Sequence, residues 1–233
     1  MTPRIWAVLP AAGRGTRFGG EVPKQYLEAA GKPLIAHALD ALLSHPRIDG
    51  AMVALAADDP RWPGWTSRQG KPLLRCTGGG ERADSVLAAL HALPTDVGDD
   101  ALILVHDAAR PNLRGADLDR LIDIASAHAD GAILGAPVRD TLKRADADAR
   151  IVATEPRSAL WRAFTPQAFR RGALTAALER ARAAGIVVTD EAMAMERMGV
   201  HPALVEGRED NLKVTTPADL ALAEYLLARG SAG

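Results

Sequence analysis

The chain has 233 residues, 48% of them hydrophobic and 24% charged, which is a composition that can build a substantial core. Its 28 basic and 29 acidic side chains leave a formal charge of −1, which argues against a protein that coats nucleic acid. A single cysteine, Cys76, excludes an internal disulfide framework, and no apolar run has the length of a membrane span. We therefore expect a soluble, cytoplasmic protein with neither nucleic acid nor a membrane as its partner.

Short apolar segments alternate with helical patterns along the chain, which is typical of a parallel sheet with crossover helices. The predicted strands span residues 5–9, 50–56, 73–76, 102–105, 131–136 and 203–206. The predicted helices span residues 32–44, 81–93, 118–129, 171–184, 191–198 and 217–229. Thr216 is the predicted N-cap of the last helix, because Pro217 and Asp219 follow it in the first turn.

Residues 138–160 break the alternation of strands and helices. This segment is charged, carries Pro137 and Pro156 at its edges and lacks a long apolar face. We expect it to form a protruding arm or hairpin rather than a core element. The sequence therefore predicts one α/β domain over residues 1–233, with an arm at about 138–160.

The first candidate functional segment is LPAAGRGTRFGG at residues 9–20, followed by PKQY at residues 23–26. A loop of small residues after a strand lets backbone N–H groups approach phosphate oxygens closely. Arg17 and Lys24 add positive charge where a phosphoryl transition state gathers negative charge. The segment thus predicts phosphate binding and nucleotidyl transfer.

A dinucleotide-binding loop of an oxidoreductase is an alternative interpretation of the same segment. Gly13 and Gly15 match the start of the G-x-G-x-x-G pattern. The third glycine, which allows close packing of the helix, is replaced by Phe18. This departure disfavours a nicotinamide-dependent enzyme.

The second candidate segment, VHDAARP at residues 105–111, lies at the end of the clearest central strand. Ligands of open α/β sheets bind beyond the carboxyl ends of strands, so an acid there can hold a metal against phosphates. Asp107 is the candidate Mg²⁺ ligand and Arg110 its candidate charge partner. His106 is a candidate ligand or base, but a structural hydrogen-bonding role is the simpler interpretation.

Two further segments leave alternatives open. The glycines of GGGERADSV at residues 78–86 would let the backbone contact the edge of a flat base, with Ser85 adding a hydroxyl, but a flexible loop fits equally well. Asp210 and Lys213 precede the last helix, where they either face the site or form a solvated surface pair. Cys76 is most simply a buried apolar residue rather than a nucleophile.

Taken together, these segments resemble the 2-C-methyl-D-erythritol 4-phosphate cytidylyltransferase family. The resemblance covers nearly the whole chain in the family's order, at residues 10–17, 23–26, 79–86, 105–111, 136–143, 165–167, 189–192 and 205–215. It implies a Rossmann-like nucleotidyltransferase fold, with a mostly parallel central sheet flanked by helices and a protruding dimerisation arm. It also implies Mg²⁺-assisted transfer of CMP from CTP to the sugar-alcohol phosphate, with release of pyrophosphate.

The resemblance also implies roles at the nucleotide. Arg17 and Lys24 stabilise the transition state at the α-phosphate, and Asp107 is the acid associated with magnesium. The backbone of Ala11, Ala12 and Gly13 is expected to contact CTP. The cytosine is expected to be contacted by Gly79, Gly80 and Ser85. Gly80 stands where some relatives have Asp, so a side-chain contact there is lost.

On the acceptor side, the resemblance implies that Thr141 and Arg157 of the arm hold the phosphate and that Lys213 with Arg157 positions it for attack. The family arm reaches across a homodimer, which would explain why residues 138–160 have no core-facing pattern. A ribitol 5-phosphate cytidylyltransferase is the nearest alternative, and Thr141 with Arg157 favours methylerythritol phosphate. A non-catalytic nucleotide-binding regulatory subunit is disfavoured, because Arg17, Lys24 and Asp107 are all present.

Overall fold

The secondary structure below is that of residues 3–13 and 22–230, which the computed structural model describes. The strands are β1 (Ile5–Ala11), β2 (Glu28–Ala29), β3 (Lys32–Pro33), β4 (Gly50–Leu55), β5 (Ser67–Arg68), β6 (Lys71–Thr77), β7 (Leu102–Val105), β8 (Ala132–Pro137), β9 (Leu142–Ala145), β10 (Ile151–Glu155), β11 (Trp161–Arg170) and β12 (Ala203–Glu206). The helices are α1 (Leu34–Leu43), α2 (Arg82–Ala92), α3 (Gly115–Ala127), α4 (Arg171–Ala183), α5 (Glu191–Glu196) and α6 (Pro217–Gly230), and a short 3-10 turn spans Lys24–Tyr26. No helix in this part of the chain is long and apolar enough to cross a membrane.

Eight strands form one mostly parallel sheet in the order β12-β8-β11-β7-β1-β4-β6-β5. β1 pairs in parallel with both β4 and β7. The chain runs from β1 outward to β4 and β6, then returns to β7 on the other side of β1. This reversal places a crevice at the carboxyl ends of β1 and β7, where ligands of such sheets bind.

Alternating side chains of the central strands pack against helices on both faces of the sheet. Ile5, Ala7 and Leu9 of β1 enter a core with α1 and α3, whereas Trp6 and Val8 enter a core with α2, α4 and α5. Each successive side chain points to the opposite face because a strand has a period of two. β1 is therefore held on both faces, and its carboxyl end is a rigid platform.

The mostly parallel sheet flanked by helices confirms the predicted fold class, and every predicted strand and helix is present. The ends of some elements differ from the prediction. The helix predicted from residue 32 begins at Leu34, because Lys32 and Pro33 pair with Ala29 and Glu28 in a small hairpin. Thr216 is the N-cap of α6 as predicted, since its Oγ1 accepts the Asp219 N–H at 3.2 Å.

The ten-residue strand β11 is a feature that the sequence did not predict. It lies antiparallel between β7 and β8 in an otherwise parallel region. Its pairing with β8 shifts register between Ala163 and Gln167, around Pro166, which has no N–H for the ladder. Because of this interruption, the sequence of β11 does not show a continuous alternation of inward and outward side chains.

The segment predicted to be an arm forms a separate two-stranded antiparallel hairpin, β9–β10. Its side chains are largely exposed, including Ile151 at 67% and Val152 at 57%. Such exposure of apolar side chains explains the absence of a core-facing pattern in the sequence. The use of this arm in dimerisation remains a prediction.

Candidate active site

A cavity of about 310 Å³ lies at the carboxyl ends of β1, β6 and β7. Its walls are residues 10–13 with Lys24 and Gln25, the loop from residue 79 to residue 85, and residues 107–109 with Lys213. The cavity therefore occupies the crevice that the strand order creates. Residues from every predicted nucleotide-contacting segment meet there.

The first wall is the end of β1 and the turn that carries Lys24. Gln25, which is 5% exposed, donates its side-chain amide to the carbonyls of Ala11 at 2.8 Å and Gly13 at 3.3 Å. This glutamine ties the end of β1 to the turn at residues 24–26, and its neighbour Lys24 lines the cavity. Arg17, the other predicted transition-state residue, lies outside the described residues.

The second wall is a glycine loop that cannot accept side chains at two positions. A Cβ on Gly78 would lie 2.6 Å from the Ala12 Cβ, and one on Gly79 would lie 2.3 Å from the Asp84 Cβ. At Gly80 no described atom would come within 4 Å of a Cβ. The loop thus runs close to its neighbours at Gly78 and Gly79 but is open at Gly80, so an aspartate at that position would fit.

The hydroxyl of Ser85 holds this glycine loop from within. It accepts the Gly79 N–H at 3.2 Å and lies 3.2 Å from the Glu81 carbonyl, to which it donates. Ser85 is 3% exposed, so the hydroxyl is engaged inside the protein while the residue lines the cavity. The loop is therefore ordered rather than flexible, and the predicted contact between Ser85 and a base remains a prediction.

Asp107 is the centre of a cluster of positive charges on the third wall. Its Oδ1 accepts from Arg82 Nε at 3.0 Å, and its Oδ2 lies 2.8 Å from Lys213 Nζ and 3.6 Å from Arg110 Nε. Burial alone would raise the pKa of Asp107, but Arg82, Lys213 and Arg110 together lower it well below its usual range. The carboxylate is therefore ionised at neutral pH, and Arg110 is a charge partner as predicted.

Arg82 and Glu191 belong to the same cluster, although neither was predicted to have a role. Arg82 donates Nη1 and Nη2 to the two oxygens of Glu191, at 2.5 and 3.0 Å. Burial would lower the pKa of Arg82, but Glu191 and Asp107 raise it above its usual range. Both residues start helices, where charged side chains are usually solvated, so only their place in segments of the family resemblance could have indicated a role.

His106 is structural, which agrees with the simpler interpretation of the sequence. Its Nε2 lies 3.0 Å from the Arg110 carbonyl and must donate to it, so Nδ1 accepts from the Thr165 hydroxyl at 3.0 Å. That hydroxyl in turn accepts the Asp107 N–H at 3.0 Å. Burial lowers the pKa of His106 to about 4, so the ring is neutral. It fixes the Arg110 carbonyl directly and the Asp107 N–H through Thr165.

The segment before α6 is held beside the cavity by hydrogen bonds of Arg110 and Asn211. Arg110 donates to the Asn211 carbonyl at 2.7 Å, and the Asn211 side chain donates to the Thr165 carbonyl at 2.8 Å. These bonds hold Lys213 against Asp107. Asp210 instead pairs with Arg208 at 2.7 Å, so of the two residues left open by the sequence only Lys213 faces the site.

The two acceptor residues predicted on the arm lie apart from this cavity. Within the described chain neither Thr141 nor Arg157 lines it, and both are exposed. Arg157 donates to the Arg139 carbonyl at the base of the arm. Among the described residues, a single chain therefore brings together the predicted nucleotide-side residues other than Arg17 with Lys213, but not with the arm residues.

Neither a nucleophilic cysteine nor a preformed metal site finds support in the described residues. Cys76 is half-buried and burial raises the pKa of its thiol, which agrees with a packing role. Across residues 3–13 and 22–230, no group of three or more His, Cys, Asp or Glu could hold a metal. The described part of the cavity therefore offers carboxylates such as that of Asp107 but no preformed metal site.

Comparison with known proteins identifies close relatives. The family model described as 2-C-methyl-D-erythritol 4-phosphate cytidylyltransferase (IspD) matches residues 5–229. An enzyme of that name from Xanthomonas campestris pv. campestris (strain B100) is 63% identical over 233 residues, covering 100% of this chain and 88% of the relative. One from Stenotrophomonas maltophilia (strain K279a) is 62% identical over 229 residues, covering 98% and 99%.

Solved structures of similarly named proteins share the fold. A crystal structure of 4-diphosphocytidyl-2C-methyl-D-erythritol synthase matches with a TM-score of 0.84 and 36% identity, covering 97% of this chain and 100% of the other. The 2-C-methyl-D-erythritol 4-phosphate cytidylyltransferase of Francisella tularensis matches with a TM-score of 0.82 and 30% identity, covering 96% and 99%.

Proposed function

The chain belongs to the 2-C-methyl-D-erythritol 4-phosphate cytidylyltransferase family, and we propose that the cavity at the ends of β1, β6 and β7 is its active site. The enzyme transfers CMP from CTP to 2-C-methyl-D-erythritol 4-phosphate, forming 4-diphosphocytidyl-2-C-methyl-D-erythritol and pyrophosphate in isoprenoid synthesis. This location rests on one observation: residues 10–13 at the end of β1, the glycine loop and the Asp107 cluster all line one crevice. We further propose that residues 1–233 form a single nucleotidyltransferase domain, with the 138–160 arm as an excursion, and that it works in the cytoplasm.

CTP is proposed to bind along the first two walls. The backbone of Ala11, Ala12 and Gly13 would contact the nucleotide through N–H groups, as small residues after a strand allow. Gly79, Gly80 and Ser85 would contact the cytosine. The open space around Gly80, which lines the cavity without a side chain, supports the approach of a flat base to this backbone.

The chemical step is an in-line displacement at the α-phosphate. An acceptor phosphate is already ionised at neutral pH, so the protein needs no general base, in agreement with a buried, neutral His106. Its task is to offset the repulsion between two anions and to align them. Lys24, at the cavity, and Arg17 supply positive charge to the transition state.

Asp107 is the proposed residue for Mg²⁺. Magnesium in such enzymes is held by one or two carboxylates together with substrate phosphates, and the ionised carboxylate of Asp107 in the cavity can supply one such ligand. When bound, the ion would neutralise phosphate charge. Asp107 also holds Lys213, the residue proposed to position the acceptor phosphate, at the cavity.

Acceptor binding is proposed to need a second copy of the chain. Lys213 is in the cavity whereas Thr141 and Arg157 are on the exposed arm of the same chain. The exposed Ile151 and Val152 give the arm an apolar surface that a partner would cover. In the proposed homodimer the arm of each chain reaches the cavity of the other, and Arg157 joins Lys213 at the acceptor phosphate.

The acceptor is tested by measuring pyrophosphate release from CTP with each candidate acceptor. We expect turnover with 2-C-methyl-D-erythritol 4-phosphate and little with ribitol 5-phosphate, since the relatives at 62% identity or more carry the former name. Activity with ribitol 5-phosphate alone would overturn the assignment of the acceptor.

The active-site location is tested by the variant Lys24→Ala. We expect turnover to fall by roughly 10²–10³, by analogy with the loss of one charge-stabilising donor. Lys32→Ala is the matched control, because Lys32 is half-exposed and pairs with Asp40 at 3.2 Å, away from the cavity walls. A Lys24→Ala enzyme as active as Lys32→Ala would contradict this location.

A further inference from the structure

Arg82 is shared between two carboxylates, and the way it is shared bears on the proposed reaction. Its Nε donates to one oxygen of Asp107 at 3.0 Å, while both terminal nitrogens are held by Glu191. The side chain of Glu191 is 1% exposed and that of Asp107 is 9% exposed. Each of the three nitrogens of Arg82 therefore donates one hydrogen bond, and only Nε reaches Asp107.

This division keeps Arg82 off the second oxygen of Asp107, where Lys213 is the nearest cation and Arg110 lies farther away, at 3.6 Å. Lys213 Nζ lies 2.8 Å from Oδ2, while Arg82 contacts only Oδ1. An arginine without another partner binds a carboxylate through two parallel N–H···O bonds, which occupy both oxygens. Without Glu191, Arg82 would therefore take Oδ2 as well and displace the ammonium group of Lys213.

Glu191 is itself held in place from the central sheet. Gln167 of β11 donates to the Asp190 carboxylate at 2.9 Å and accepts the Ala192 N–H at 2.9 Å, on either side of Glu191. Asp190 also caps α5 by accepting the Met193 N–H at 3.0 Å. The start of α5 is thus fixed to β11, and Glu191 has a defined position from which to hold Arg82.

We propose that Glu191 is a positioning residue that acts through Arg82: it confines Arg82 to Oδ1 of Asp107 and so reserves Oδ2 for Lys213. Neither residue needs to contact the substrate for this role. The inference rests on the proposed function, in which Lys213 positions the acceptor phosphate. Glu191 therefore governs the alignment of the acceptor rather than the binding of CTP.

The test is a comparison of Glu191→Gln with the wild-type enzyme. We expect kcat to fall about tenfold to a hundredfold, as for residues that orient a reacting group from behind. The dissociation constant of CTP, measured by calorimetry without acceptor, should change by no more than about threefold, because Ser85 rather than Arg82 holds the base loop. Arg82→Lys should lower kcat similarly, since a lysine cannot serve both carboxylates, and the double variant should be no worse than either single variant.

A matched control separates positioning from simple stabilisation. Arg68 also binds a carboxylate through two bonds, from Nε and Nη2 to Asp40 at 2.6 and 2.8 Å. The two side chains are 17% and 20% exposed and lie away from the cavity walls. Asp40→Asn should lower the melting temperature and leave kcat unchanged. Wild-type kcat in Glu191→Gln, or in Arg82→Lys if Glu191→Gln does not fold, would overturn the proposal. A wild-type enzyme that is inactive on CTP and methylerythritol phosphate would instead refute the proposed function.

Discussion

Charged side chains are prominent in both the cavity and the arm, and the two regions hold them in opposite ways. In the cavity the Asp107 side chain is 9% exposed and lies against three cationic side chains. In the arm, Arg144 and Glu155 form a single pair whose side chains are 67% and 30% exposed. The cavity pairs its charged side chains with one another inside the chain, whereas the arm leaves its charged side chains largely in water.

The difference teaches which charges depend on folding and which are available to another molecule. Removal of one partner from a buried charge cluster leaves an uncompensated charge and is strongly destabilising. Exposed pairs contribute little to stability and are weakened further by salt. We therefore expect changes in the cavity to affect both stability and activity, and changes in the arm to affect activity through a second chain.

The largest effect should come from Asp107→Asn. This change leaves Arg82, Arg110 and Lys213 without their shared carboxylate, so the free energy of unfolding should fall by about 3–5 kcal/mol. Turnover should fall by roughly 10²–10³, since the alignment of Lys213 is lost as well. Urea unfolding and pyrophosphate release measure the two effects.

The arm offers the matched control for that change. Glu155→Gln removes a carboxylate of the same chemistry, and we expect urea unfolding to show no measurable loss of stability. A loss as large as that of Asp107→Asn would break the comparison between a buried and an exposed charge cluster.

The next prediction sharpens the role of the arm. Arg157→Ala and Lys213→Ala should each lower turnover by about tenfold or more, because each removes a charge from the acceptor phosphate. If Arg157 acts across a homodimer, a mixed dimer of the two variants has one site with both residues intact. Co-expression should then restore about a quarter of wild-type activity, since random pairing makes half of the dimers mixed. Activity no higher than the mean of the two single variants would place Arg157 and Lys213 in the same chain's site.

A smaller effect concerns the pH dependence of stability in the absence of ligands. Burial lowers the pKa of His106 from 6.5 to about 4, so between these values the unfolded chain binds the proton and the folded chain does not. The contribution of His106 to the free energy of unfolding is complete above pH 6.5 and declines as the pH falls toward 4. The decline is about 3 kcal/mol, because each unit of the pKa shift corresponds to about 1.4 kcal/mol. His106→Gln should show a shallower loss over this interval in urea titrations, and an equal slope would contradict a neutral, buried His106.

Local sequence patterns predicted much of this molecule. The apolar runs of β1 and β7 and the faces of the helices are continuous in sequence, so their periodicity is visible. Asp107 and the residues after β1 could be predicted as site candidates because they follow such strands closely, at the edge where ligands of open α/β sheets bind. The position of Lys213 needed the structure, because it depends on the bonds of Arg110 to a segment about a hundred residues away.

What the sequence missed depends on contacts between distant residues. β11 is interrupted by Pro166 and takes its register from two neighbouring strands, so no local period marks it. Arg82 and Glu191 are 109 positions apart, and each has the local pattern of a solvated residue at a helix start. Only the fold shows that they meet beside Asp107.

The contrast between Gly78, Gly79 and Gly80 has a consequence for inhibitor design. A compound that presses on the backbone of Gly78 and Gly79 would face few resistance mutations, because any side chain there would collide with Ala12 or Asp84. A compound that also fills the space beside Gly80 would be vulnerable, since a new side chain can enter that space without disturbing the loop. If Gly79, Gly80 and Ser85 contact the cytosine as proposed, the same open position would allow a cytidine analogue to carry a substituent that enzymes with aspartate there would reject.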